Sequence, residues 1–301
     1  MHLTKIETNQ KRNLYFSTST NLSFISDSSN IENNLIIIYP EIKYQEIIGF
    51  GGALTESAAY CFSLLPIDLY QKVLKDYFSP DGIGYNLIRI PIGSCDFSLS
   101  SYSYSRKSNL ADFSIEEDRK YIIPALKNIF SISSAIKLLA SPWSPPAFMK
   151  TTHKLCHGGK LDKEFFSTYA MYLVKYLLSY SKENFPISYM TIQNEPNAKQ
   201  IWESCLYSAK EEINFANNYL FPLLQKFNLS TKLLIWDHNK ERVYMRSKES
   251  LSSILYSNSI SGIAFHWYTG DHFENLSITH EQFPSKLLFH TEGCCRIWFT
   301  Y

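Results

Sequence analysis

An α/β fold, a (β/α)8 barrel lacking its eighth strand behind a short N-terminal β segment, is predicted by three observations. From Tyr44 onward short apolar runs alternate with amphipathic segments, the pattern of parallel strands buried on both faces by crossover helices. No Gly-x-Gly-x-x-Gly or Gly-Lys-Ser/Thr phosphate loop is present. Gly49-Phe-Gly-Gly52 lacks the third glycine at the required offset, which disfavours a doubly wound nucleotide-binding sheet. Polar residues also stand at the C-terminal end of nearly every apolar run: Arg89, Trp143, Asn194 with Glu195, Asp237 with His238, His266 with Tyr268, and Glu292. A barrel assembles its site at that end.

Residues 1–43 are polar and rich in Ser, Thr and Asn, with β-type runs at 14–16, 22–25 and 35–39. They read as an antiparallel segment of an incomplete β-sandwich, set apart from the barrel at 44–293. Strands are predicted at 46–52, 85–92, 135–141, 187–193, 232–236, 262–267 and 286–290. Helices are predicted at 66–78, 115–129, 163–181, 209–226, 242–256 and 273–282, where apolar residues return every three or four positions. Glu195 then closes the fourth strand and Glu292 the seventh, positions that face each other across a barrel mouth. The tail at 294–301 reads as truncated, with no eighth strand in it.

The 29 basic and 28 acidic residues give a formal charge of +1 and are not clustered, so neither nucleic acid nor an anionic surface is an expected partner. Residues 1–10 lack the apolar stretch of a secretory signal and no window suits a membrane span. A soluble cytoplasmic protein is the expectation. Its six cysteines are then reduced thiols, and the adjacent Cys294 and Cys295 are poorly placed for an ordinary bridge.

Two glutamates at strand ends suggest glycoside hydrolysis, in which one carboxylic acid protonates the leaving oxygen and a carboxylate attacks the anomeric carbon. Glu195 lies in Met190-Thr-Ile-Gln-Asn-Glu-Pro196 and Glu292 in Leu287-Leu-Phe-His-Thr-Glu-Gly293. Beside Pro196 and near a second carboxylate, Glu195 is expected to have a raised pKa and to act as acid, then base. Arg89 and Tyr268 are the donors expected to keep Glu292 ionised. Taken singly, each glutamate has a structural reading too: Asn194-Glu195-Pro196 as a helix start, Glu292 as a solvated loop carboxylate. Their joint placement favours catalysis. His153-Lys-Leu-Cys156-His157 has ligand types but no second half of a zinc site, and no Gly-x-Ser-x-Gly elbow supports a serine triad around Asp237-His238. Neither a metal nor a cofactor is expected.

Six motifs carry a family resemblance. They are Gly49-Phe-Gly-Gly-Ala-Leu-Thr-Glu56, Gly82-Ile-Gly-Tyr-Asn-Leu-Ile-Arg-Ile-Pro91 with Ser94-Cys-Asp-Phe97, Ala140-Ser-Pro-Trp-Ser-Pro145, Gln193-Asn-Glu-Pro196, His266-Trp-Tyr268 and Thr291-Glu-Gly293. In that order the chain resembles glycoside hydrolase family 30, the glucosylceramidase family. The resemblance implies retaining hydrolysis of a β-glucoside or a glucosylceramide-like substrate, with Glu195 as acid/base and Glu292 as nucleophile. It implies sugar contacts from Asp96, Phe97, Trp143, Asn194 and His266, and orientation of the nucleophile by Arg89 and Tyr268. Family members continue through an eighth strand and a sandwich-completing C-terminal stretch, so the alternative is a truncated, non-catalytic remnant that binds sugar at most.

Overall fold

In the computed structural model the described residues are 3–23, 37–252 and 258–294. The chain divides into two compact units, Met1–Ile47 and Ile48–Tyr301, four residues later than the expected boundary. In the first unit β1 (Leu3–Asn9) and β2 (Leu14–Leu22) pair antiparallel. β1 has no counterpart among the expected runs. Parts of the runs at 22–25 and 35–39, the end of the 242–256 helix and Cys295 in the tail lie outside the described residues.

Among its described residues the second unit has a parallel sheet of seven strands in sequential order: β3 (Gly51–Ala53), β4 (Leu87–Ile92), β5 (Lys137–Pro142), β6 (Ile187–Thr191), β7 (Lys232–Asn239), β8 (Ile260–His266) and β9 (Leu287–Glu292). The sheet curls into an open barrel. Contacts across it establish the curl: the rings of Tyr189 on β6 and Phe289 on β9 lie 4.8 Å apart. Side chains alternate as the strand period requires. Leu139, Tyr189, Leu234, Ala264 and Phe289 fill the interior, while Ile88, Ile90, Leu138, Ala140, Leu233 and Ile263 face the helices. Each buried Leu or Ile among them contributes about 1.5–3 kcal/mol.

β3 is shorter than expected because pairing begins only at Gly51, whose added Cβ would sit 1.8 Å from the Leu87 carbonyl oxygen. The helices are α1 (Glu56–Ser63), α2 (Ile67–Phe78), α3 (Ile122–Ile132), α4 (Phe166–Lys182), α5 (Ala209–Phe215), α6 (Phe221–Lys226), α7 (Val243–Leu251) and α8 (Phe273–Gln282). α1 is an addition to the expected set, started by Thr55, whose hydroxyl accepts from Ala58 N. The helix predicted over 209–226 is interrupted by a π-turn at Ala216–Leu220. Pro222 explains this, since it lacks an N–H and its ring crowds the carbonyl four residues back. α3 starts seven residues later than expected, because 115–121 form turns around a buried Asp118. Among the described residues no helix is long and apolar enough to cross a membrane.

Candidate active site

The site lies at the C-terminal ends of the strands, around the guanidinium of Arg89 on β4. That side chain is only 7% exposed and makes four hydrogen bonds. Nε donates to Ser141 Oγ at 3.1 Å, Nη1 to Glu292 Oε2 at 2.7 Å, and Nη2 to Asn194 Oδ1 at 2.8 Å and Asp237 Oδ2 at 2.9 Å. Its central carbon stands 4.7 Å from the centre of the Trp143 ring. Burial works against the charge, but Asp237 and Glu292 outweigh it and hold Arg89 protonated.

Asp237 is fully buried on β7, and besides Arg89 it takes hydrogen bonds from Thr191 (2.7 Å), Thr291 (2.5 Å) and His266 Nε2 (3.1 Å). Burial alone would raise its pKa. Arg89 and His266 overcome that and drive it well below the ordinary carboxylate range. The other His266 nitrogen, Nδ1, lies 3.4 Å from Glu195 Oε1 and 4.0 Å from Glu292 Oε1. Although burial opposes protonation, its hydrogen bonds with Asp237 and Glu195 push the His266 pKa up to about 9. At neutral pH both ring nitrogens therefore donate.

Glu195 follows β6 and has φ of 47°, a left-handed conformation. Trp236 and Asp237, at a bulge in β7, have φ of 77° and 46°. Such backbone costs on the order of 1–3 kcal/mol per residue and persists where surrounding contacts over-determine it. Here Glu195 N donates to the Asp237 carbonyl at 2.9 Å, and Gln200 Nε2 donates to Glu195 Oε2 at 3.2 Å. The raised pKa expected for Glu195 is not found. Burial does push it up, but the hydrogen bond with His266, the nearby His238 and the Gln200 amide together leave it below the usual glutamate value. The sequence does not reveal that an imidazolium would stand against this carboxylate.

On β9, Glu292 takes its second hydrogen bond from Tyr268 OH at 2.9 Å. One oxygen or nitrogen from each of Glu195, His266 and Glu292 lies within 4.8 Å of the other two, so the two glutamates do meet across the mouth. The trio has metal-ligand types, but His266 turns both ring nitrogens to protein carboxylates and Glu292 already pairs with the Arg89 cation. Asp96, Phe97, Trp143 and Glu292 line one small pocket with Arg89 and Cys294. Asp96 reaches solvent within that concave wall, yet the crowding protein, and then the charge of Glu292, push its pKa up to about 6. Asn194 is buried against Arg89. His266, expected to touch sugar, is fully buried, with both nitrogens turned to protein carboxylates. Asp237 was noted only as a polar strand-end residue, and its joining with Arg89, Thr191 and Thr291, like the contact of Ser141 with Arg89, escaped the sequence reading, because one polar residue at the end of an apolar run carries no signal of what it meets. Cys61, Cys95, Cys156, Cys205 and Cys294 are free thiols.

Residues 47–299 match the Glycosyl hydrolase family 30 TIM-barrel domain. The chain belongs to glycosyl hydrolase family 30. It is 34% identical over 276 residues to the lysosomal acid glucosylceramidase of Mus musculus, a match covering 86% of this chain and 54% of that protein. The crystal structure of SrfJ from Salmonella typhimurium superposes with a TM-score of 0.94 at 35% identity, over 99% of this chain and 68% of that one. The endo-beta1,6-glucanase BT3312 superposes with a TM-score of 0.78 at 32% identity, over 83% and 58%. The chain spans about half the length of the curated relatives it matches. Among the described residues this family 30 chain carries seven strands of the barrel.

Proposed function

We propose that this chain hydrolyses β-glucosides with retention of configuration, Glu292 acting as nucleophile and Glu195 as acid/base. The observation that carries this reading is the approach of the Glu195 and Glu292 carboxylates to within 4.8 Å from opposite sides of the mouth. Retention calls for carboxyl groups about 5–5.5 Å apart, whereas inversion needs roughly 6.5–9.5 Å to admit a water.

In the first step a Glu292 oxygen bonds to the anomeric carbon as the glycosidic bond breaks, and the Glu195 proton passes to the leaving oxygen. Arg89 and Tyr268 fix the attacking carboxylate, because each donates to one of its oxygens. In the second step Glu195, now ionised, takes a proton from water as that water attacks the same carbon and releases Glu292. His266 stabilises the ionised form of Glu195 and so favours its return to the base state. Asp96, Phe97 and Trp143 form the wall for the terminal sugar, with Trp143 packed against Arg89 and Asn194 held at the rim by the same guanidinium. The glucosylceramidase of Mus musculus supports a glycolipid glucoside as substrate, and the endo-glucanase supports a β-1,6-linked glucan.

The test is release of aglycone from an aryl β-glucoside, with NMR of the first-formed sugar anomer. A β-anomer from the wild type and no turnover by Glu292→Gln are expected. An α-anomer, or full activity in that variant, would sink the assignment. The second reading, sugar binding without turnover, is favoured by the position of β9: among the described residues the strand bearing Glu292 has a strand neighbour on one side only. Saturable sugar binding by a chain that never turns over would select it.

A further inference from the structure

Away from the sugar pocket, Arg246 on α7 and Glu212 on α5 form a buried ion pair at 2.8 Å, with 6% and 0% side-chain exposure. We propose that this pair is a positioning device for Glu195, clamping the two left-handed backbone segments from which that carboxylate hangs. The proposal rests on the reading of Glu195 as the acid/base.

Glu212 divides its two oxygens. Oε2 takes Arg246 Nη2, while Oε1 takes the backbone N–H of Trp236 at 2.9 Å. Trp236 is the first residue of the β7 bulge, and the next carbonyl along, that of Asp237, accepts the Glu195 N–H. The guanidinium of Arg246 lies 5.3 Å from the centre of the Trp236 indole, pinning the same residue from its side chain.

Arg246 then reaches the far side of Glu195. Nη1 donates to Asn197 Oδ1 at 3.2 Å, and Nη2 donates to the Tyr207 carbonyl at 2.9 Å. Tyr207 N in turn donates to the Pro196 carbonyl. One ion pair thus holds the Glu195 backbone N–H through β7 and the chain after it through Pro196 and Asn197. The acceptors are divided between two nitrogens of a planar fork, Nη1 for Asn197 and Nη2 for Glu212 and Tyr207, a spread that a single ammonium nitrogen does not reproduce. The groups facing the Glu195 carboxylate itself are His266 from β8, His238 from β7, Gln200 from its own loop and, across the mouth, Glu292 from β9. The pair touches none of them, so its influence passes through the backbone.

Two variants test this: Arg246→Lys, and Asn197→Ala at an exposed position where folding is spared. The first readout is kcat/KM across aryl β-glucosides of differing leaving-group acidity. Misplaced acid catalysis costs about 10–100-fold on poor leaving groups and leaves 2,4-dinitrophenyl glucoside nearly untouched. The second is the titration midpoint of the Glu195 carboxyl by carbon NMR, assigned with Glu195→Gln. It is expected to rise by about half a unit as contact with His266 loosens. A loss equal across all leaving groups, with the midpoint unmoved, overturns the proposal. If the wild type turns over no glucoside, the glycosidase reading fails, and the NMR midpoint still decides whether the pair positions Glu195.

Discussion

Arg89 Nη2 and Asp237 Oδ2 lie 2.9 Å apart with side-chain exposures of 7% and 0%, and the same guanidinium holds Glu292 at 2.7 Å. The orientation of the Glu292 carboxylate and the integrity of the buried network therefore share one cation. Arg89→Met takes from the buried Asp237 one of its two cationic partners, leaving His266 alone, and strips Glu292 of its ion pair, which together costs roughly 3–5 kcal/mol. Urea melts of the two proteins measure it, and a midpoint within error of the wild type would show that the network does not depend on Arg89.

Removing the acid should discriminate among substrates. Glu195→Ala is expected to slow hydrolysis of a poorly activated aryl β-glucoside by about 10²–10⁴-fold. The first step on 2,4-dinitrophenyl glucoside, whose leaving group needs no proton, should survive. Azide should then restore its turnover, since azide attacks without a general base. Equal losses on both substrates would count against an acid/base role.

The direction of the pH dependence follows from the lowered pKa of Glu195. The first step needs its proton, so kcat/KM is expected to fall as pH rises through that pKa, placing the optimum on the acid side. His266→Asn removes the imidazolium that favours the ionised form. The alkaline limb should then move up by about one unit. A limb that stays in place would separate His266 from the acid.

Asp118 has the opposite linkage. It is fully buried, accepts from Tyr102, Tyr104 and Tyr180, and burial pushes its pKa up to about 6. The folded state therefore binds this proton more tightly than the unfolded chain, whose Asp titrates near ~3.9. Stability from this group is greatest below about pH 4 and is lost as pH rises through about 6, by roughly 2–3 kcal/mol. Asp118→Asn should abolish that component, so the stability difference between variant and wild type should change with pH in this window. Parallel stability curves would refute the assignment.

The alternation of apolar runs and amphipathic segments made the barrel legible, because strands buried on both faces have little choice of residue. Glu195 and Glu292 were legible from their strand ordinals. Less was visible where tertiary contacts decide. α1 follows directly on the run read as the first strand, and its start depends on the Thr55 hydroxyl meeting Ala58 N. Pro222 disturbs a helix whose apolar spacing runs on regardless. The protonated state of His266 depends on Asp237 and Glu195, which come from two other strands. No local pattern encodes that meeting, and it is why the expected rise in the Glu195 pKa became a fall.

The bulge in β7 has a consequence for the parity of the whole strand. Leu234 points into the barrel and Ile235 toward the helices, and Trp236 joins Ile235 on the helix side. A regular strand would instead have sent the indole inward and the Asp237 carboxylate outward, beneath α5 and α7. The inserted half-step exchanges the two. A tryptophan is withheld from the barrel's centre, and the anion that Arg89, His266, Thr191 and Thr291 converge upon is delivered there.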